Sequence, residues 1–217
     1  MAFTQQELIE RLKKHFPDPK IELNYENEFQ LLIVIILSAQ TTDKKVNQIS
    51  PILFKKYPTP QALANADLKD LEEILKPLGF YKRKAKLIRE CAKAIVEKFN
   101  GQIPKTLEEL ISLPGVGRKT ASAFLVNAYK IPAIVVDTHV KRVAKRLKIT
   151  NQTNPEKVEK DLTKFFSKEN WVYISNALVL FGRYICTANN PKCKDCYVSD
   201  ICPYEKKRTC EVKRWKC

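Results

Sequence analysis

The sequence predicts an all-α fold, and three observations carry that prediction. Apolar residues recur at helical spacing along most of the chain, as one buried helix face requires. Proline, glycine and asparagine interrupt this pattern repeatedly, in the manner of turns between packed helices. Only one run, IPAIVV at 131–136, is rich in β-branched residues, and it has no second run to pair with. The 217 residues suffice for one large domain or two small lobes, with material for a sizeable core.

The elements follow in order. Leu8, Leu12 and Phe16 share a face and predict a first helix, closed by Pro17 and Pro19. The run LLIVIILSA at 31–39 is apolar all round; too short to cross a bilayer, it predicts a helix buried in a core. Thr41 and Thr42 would cap its C-terminal end, with Gln40 beside them. Val46, Ile49 and Leu53 predict a third helix that Pro51 should kink, or force to restart with Ser50 as cap. Breaks at 58–60 and 77–79 lead to a long helix through Ile88, Cys91, Ala92, Ile95 and Phe99. Phe80 precedes it, either packed on Leu87 or Ile88 or left exposed on its loop. After Asn100 and Gly101, TLEELISL predicts a helix with Thr106 as cap. Past Pro132 and the extended run, Asp137 is a natural N-cap for a helix through Val140, Val143 and Leu147. A break at 151–155 precedes the helix through Val158, Leu162, Phe165 and Phe166.

The chain has only five glycines, and two of them fall in LPGVGRKTA at 113–121. Helix, Pro-Gly-Val-Gly turn and Ala-rich helix make a helix–hairpin–helix. Gly115 and Gly117 let backbone approach another molecule, and the N–H groups of Val116, Arg118 and the helix start form a phosphate site. A plain connector between packed helices has the same residues. Lys119 falls in the first turn of the second helix, where the helix dipole and adjacent Arg118 both favour the neutral, nucleophilic amine. An exposed phosphate-contacting lysine fits the position as well.

Charge points to anionic partners. Thirty-nine Lys and Arg against 24 Asp and Glu give a formal net charge of +15. The basic residues cluster: Lys82, Arg83, Lys84, Lys86 and Arg89; Lys141, Arg142, Lys145, Arg146 and Lys148; and Lys206, Lys207, Arg208, Lys213, Arg214 and Lys216. Each group would fan over a solvated helix face able to track phosphates. An odd number of cysteines, seven, and no visible signal peptide indicate a reducing compartment, the cytoplasm with its nucleoid in a prokaryote.

Cys186, Cys193, Cys196 and Cys202 are spaced C-x6-C-x2-C-x5-C, leaving Cys91, Cys210 and Cys217 outside the motif. Four thiolates within 17 residues can close around one metal centre. The spacing departs from the paired C-x2-C of a zinc ribbon and favours a cubane iron–sulfur cluster over zinc. With the flanking residues, RYICTANNPKCKDCYVSDICP at 183–203 resembles the [4Fe-4S] loop of the endonuclease III family of DNA base-excision glycosylases. LPGVGRKTA, VVDTHVKRVAKR at 135–146, LSAQTTD at 37–43 and LGFYKRKA at 78–85 resemble further blocks of that family, in its order, so the likeness covers about residues 5–203.

The resemblance implies two α-helical lobes with duplex DNA in the cleft between them. A six-helix lobe at 21–131 would carry the hairpin, and residues 1–20 with 132–217 would form the cluster lobe around its loop at 186–202. It implies one [4Fe-4S] cluster per chain, a monomer acting on double-stranded DNA with damaged bases or abasic sites, and no membrane. Lys119 becomes the catalytic lysine and Asp137 the catalytic aspartate, which stabilises the oxocarbenium-like sugar or takes a proton from Lys119. His139 is left as a structural neighbour of the cap. Gln40 would enter the duplex at the flipped nucleotide, and Phe80 would be the apolar wedge where the family commonly has leucine. Lys192 remains as a phosphate contact in the cluster loop, although Asn189 and Asn190 stand where the family often has basic residues.

The implied reaction removes an oxidised pyrimidine and then cuts the strand by β-elimination. Two rivals are an adenine-type monofunctional glycosylase of the same superfamily and a non-catalytic DNA-binding module. The first lacks the hairpin lysine and carries a further C-terminal domain, whereas here Lys119 is present and 15 residues follow Cys202. Lys119 together with Asp137 speaks against the second.

Overall fold

The structure, a computed structural model, describes residues 3–204. The third basic group, Cys210 and Cys217 lie outside the described residues. All regular structure among the described residues is helical: eleven α-helices, two 3₁₀ turns and no strand. The IPAIVV run is extended but unpaired. The chain gathers into two compact units, residues 21–130 and residues 1–20 with 131–217.

In the first unit, α2 (Glu28–Leu37) is the central element, with every residue from Phe29 to Leu37 buried. A helix that is apolar on all sides must be covered on all sides, and α3 (Asp43–Lys56), α6 (Tyr81–Phe99) and α8 (Arg118–Tyr129) pack on it. The short helices α4 (Pro60–Ala64) and α5 (Leu68–Leu75) pack on α6, and α7 (Leu107–Ile111) packs on α8. That makes seven helices in this unit rather than six. Thr59 caps Pro60–Ala64 as a separate turn, because Pro at its first position is preset for a helix start.

Two local expectations are corrected. α3 runs through Pro51 as one helix with Thr42 as its cap, and Ser50 caps nothing. Thr42 therefore opens α3 instead of closing α2, whose C-cap is Ser38. Thr42 accepts from the Lys45 N–H, a use that the start of a helix offers and its end does not.

The second unit is built from α1 (Gln5–His15), α9 (Thr138–Arg146), α10 (Pro155–Phe165) and α11 (Trp171–Tyr184), followed by the cysteine-containing loop. Leu8 and Leu12 share its core with Val140, Val143, Leu162 and Phe181. The N-terminal segment is fastened to this core by Tyr173, whose hydroxyl donates to the Phe16 carbonyl at 3.0 Å. α9 and α11 approach closely because residue 182 is glycine: a Cβ there would lie 2.8 Å from the Cβ of His139.

Candidate active site and cysteine loop

The hairpin is built by burial on one side and openness on the other. Thr106 caps α7, accepting from the Glu109 N–H at 3.3 Å and donating to its carboxylate at 2.7 Å. Leu113 and Val116 both enter the core of their unit and hold the turn between them. The Val116 side chain is thus not a surface group, and its N–H, expected to meet a phosphate, donates to the Leu113 carbonyl at 3.1 Å. Gly115 has φ +81°, and a Cβ on it would lie 2.6 Å from Cγ of Leu87 on α6, so this turn admits no side chain here. Gly117 starts α8 without a side-chain cap, and Arg118 and Lys119 are exposed in the first turn. An uncapped helix N-terminus carrying two cations is a site for an anion.

Two further turns of the same unit present exposed side chains. Gln40 (φ +55°) forms the tip between α2 and α3, and Phe80 (φ +58°) the tip before α6. Phe80 is 65% exposed, so it is not packed on Leu87 or Ile88. Left-handed backbone at a non-glycine residue costs about 1–2 kcal/mol, so both tips are held by their surroundings. Lys82, Arg83 and Lys86 are exposed on α6, but Lys84 is 5% exposed and hydrogen-bonds the Thr41 hydroxyl. It leaves the solvated face expected of that basic stretch.

In the other unit, buried Ile134 and Val136 anchor the extended run, and the Val135 N–H donates to Ser175 Oγ on α11 at 3.0 Å. Asp137 follows and caps α9, accepting from the Val140 N–H at 2.8 Å. Its carboxylate is half-buried and fixed at the helix start. His139 Nδ1 lies 3.2 Å from Arg142 Nη2, in keeping with a structural role.

All four cysteines of the motif are outside any disulfide and line one pocket, with apolar walls that include Leu147, Phe181, Ile185 and Val198. Burial pushes the Cys196 thiol up to about 12, and the nearby Cys186, Cys202 and Cys193 add to the rise. Four such sulfurs coexist as thiolates only around a positive centre, which replaces their protons. Among the described residues no three His, Cys, Asp or Glu are placed to hold a single metal ion. Lys192 is exposed, with its N–H donating to the Ile185 carbonyl at 2.9 Å.

Sequence reasoning missed what holds this loop. Arg142 and Arg146, read as solvated, turn inward. Arg142 donates to the carbonyls of Cys186 (3.1 Å) and Gly182 (2.6 Å). Arg146 donates to those of Thr187 (2.7 Å) and Ala188 (2.8 Å) and to Cys186 Sγ (3.3 Å). Their spacing of four on α9 was the available signal, since i and i+4 share a face. From α1, His15 Nε2 accepts the Tyr197 N–H at 2.8 Å, and Arg11 pairs with Asp200 at 2.6 Å.

The family model described as HhH-GPD superfamily base excision DNA repair protein matches residues 33–168. Endonuclease III of Synechocystis is 42% identical over 198 residues, covering 91% of this chain and 90% of that one. The fold is similar to a non-covalent endonuclease III–DNA complex (TM-score 0.89, 40% identity, 95% of this chain and 99% of that one). It is similar also to a trapped endonuclease III–DNA covalent intermediate (TM-score 0.88, 41% identity, 95% and 99%). The chain belongs to the endonuclease III family, and its enzyme class is DNA N-glycosylase with abasic-site lyase activity. No helix among the described residues is long and apolar enough to cross a membrane.

Proposed function

We propose that the chain excises oxidised pyrimidines from duplex DNA and cleaves the resulting abasic site, with Lys119 as nucleophile and Asp137 as its acidic partner. The observation that carries this is Lys119 itself: an exposed amine in the first turn of α8, at the uncapped end of a hairpin whose Gly115 excludes a side chain. The damaged base is flipped from the stack to expose C1′. The Lys119 amine bonds to C1′ as the base leaves with the glycosidic electron pair. The nitrogen then gives up one proton, and the ring oxygen takes one as the C1′–O4′ bond breaks, giving a protonated imine that draws electrons from C2′. Loss of a C2′ proton expels the 3′ phosphate and breaks the strand. Asp137, charged and fixed by its capping bond, stabilises the cationic sugar and accepts protons. Backbone N–H groups at Gly115, Gly117 and Arg118 hold a phosphate, that of Val116 being taken by the Leu113 carbonyl; Gln40 and Phe80 fill the space left by the flipped nucleotide, and Lys192 adds a phosphate contact.

Cys186, Cys193, Cys196 and Cys202 hold one [4Fe-4S] cluster. All four thiols line one apolar pocket, and their spacing departs from the paired C-x2-C of a zinc ribbon. With all four ligands from protein, the cluster stiffens the loop and leaves no position for substrate. The chain acts as a monomer in the compartment that holds the DNA.

The test is a panel of duplexes, each with one defined lesion, incubated with the purified protein. Release of oxidised pyrimidines with strand cleavage at the same sites is expected. Release of adenine opposite a lesion without cleavage would support the monofunctional reading, and binding without release the non-catalytic one. Iron and sulfide should be found together; zinc without iron after anaerobic purification contradicts the cluster.

A further inference from the structure

Lys84 is out of place by every ordinary rule for lysine. It is 5% exposed, on the stripe of α6 that continues into Ile88 and Cys91. Among the described residues it has no carboxylate partner; its ammonium donates to the Thr41 hydroxyl. Burial lowers its proton affinity below the usual lysine range. An apolar side chain of the same length would cost less to bury.

The bonds around it explain what the cost maintains. Thr41 Oγ1, which accepts from Lys84, donates in turn to the Ala39 carbonyl at 3.5 Å, so the hydrogen-bonded chain closes around Gln40 from both sides. The Thr41 N–H donates to the Ser38 carbonyl at 3.1 Å, completing a tight corner at 38–42. The main-chain N–H of Lys84 donates to the Phe80 carbonyl at 3.0 Å. One residue therefore bonds beside two left-handed tips, to Thr41 next to Gln40 through its side chain and to the Phe80 carbonyl through its backbone.

We propose that Lys84 is a positioning residue that fixes the 38–42 corner against the start of α6, so that Gln40 and Phe80 enter the duplex as one preset pair. This rests on the reading of Gln40 and Phe80 as inserted groups. A polar tie suits the task better than packing, because its directionality specifies the backbone of the corner as well as its distance.

The experiment uses the full chain with its cluster and a duplex carrying a tetrahydrofuran abasic analogue, which binds but is not cut. Lys84→Met keeps the stem and removes the donor. It should weaken binding to that duplex about tenfold, within the range set by one stacked group. Affinity for undamaged duplex should stay unchanged, and the melting temperature should not fall. Thr41→Val should give the same loss, and in Gln40→Ala protein Lys84→Met should add nothing further. Independent, additive losses, or equal losses on undamaged DNA, would overturn the proposal. Amide exchange provides a second reading: Lys84→Met should speed exchange at 38–42 and nowhere else, and unchanged exchange there also overturns it. If Gln40→Ala and Phe80→Ala leave binding intact, the insertion reading falls, while exchange at 38–42 still decides whether Lys84 holds the corner.

Discussion

At the scale of single residues, the site asks side chains to do two jobs at once. Asp137 caps α9 through the Val140 N–H and supplies the negative charge proposed for catalysis. The two jobs separate in Asp137→Asn, because asparagine caps a helix about as well as aspartate. Base release should fall by orders of magnitude, while stability changes by no more than about 0.5 kcal/mol. Thermal melting and single-turnover base release measure the two; a loss of activity that merely tracks unfolding would reduce Asp137 to a cap. The cap was legible in the sequence, since an acidic residue between an extended run and a periodic one has few other uses. Lys84 was not. It extends the Ile88 and Cys91 stripe by one turn, but within a basic stretch the charge of a lysine outweighs its position, and only packing shows which member turns inward.

At the scale of elements, α9 links the extended run to the cysteine loop, with Asp137 at one end and Arg142 and Arg146 along its side. Arg146→Ala removes charged donors from the carbonyls of Cys186, Thr187 and Ala188. Bonds to charged groups contribute about 1.5–3 kcal/mol each, so the variant should retain less iron than the parent after dialysis under air, read from its visible absorbance. Equal retention would mean that the loop is held by other contacts. α1 holds the same loop through His15, whose proton affinity burial lowers. Neutral His15 accepts the Tyr197 N–H, and the unfolded chain binds a proton at higher pH than the folded one. The contribution is therefore complete above the ordinary histidine value of about 6.5 and is lost as pH falls below it. Melting temperature should drop over that interval in the parent and less so in His15→Gln; parallel curves would remove His15 from the account. Most helices were legible from apolar spacing, though α5 and α11 were not singled out. The short α4 and the course of α3 through Pro51 were not, because a five-residue helix has too few positions for a period and Pro51 is tolerated wherever the missing N–H costs little.

At the scale of the molecule, a net charge of +15 makes DNA binding an exchange of counterions for cations. Lys82 and Arg83 are exposed at the start of α6. If both neutralise phosphates, replacing them together with glutamine should flatten the slope of log affinity against log salt by roughly 2. An unchanged slope would mean that this face does not meet the backbone. Charge clusters were visible in the sequence; their division into solvated, structural and buried members was not, since it is set by which helix face meets the core.

Borohydride trapping tests directly whether the Lys119 amine bonds covalently to the sugar, since the reductant converts an imine into a stable amine. The parent protein incubated with abasic-site duplex and borohydride should yield a protein–DNA adduct whose peptide map places the DNA on Lys119. In Lys119→Gln, which keeps an exposed polar side chain in the first turn of α8, the adduct should disappear while the protein melts at the parental temperature. An adduct of normal yield in Lys119→Gln would contradict the account.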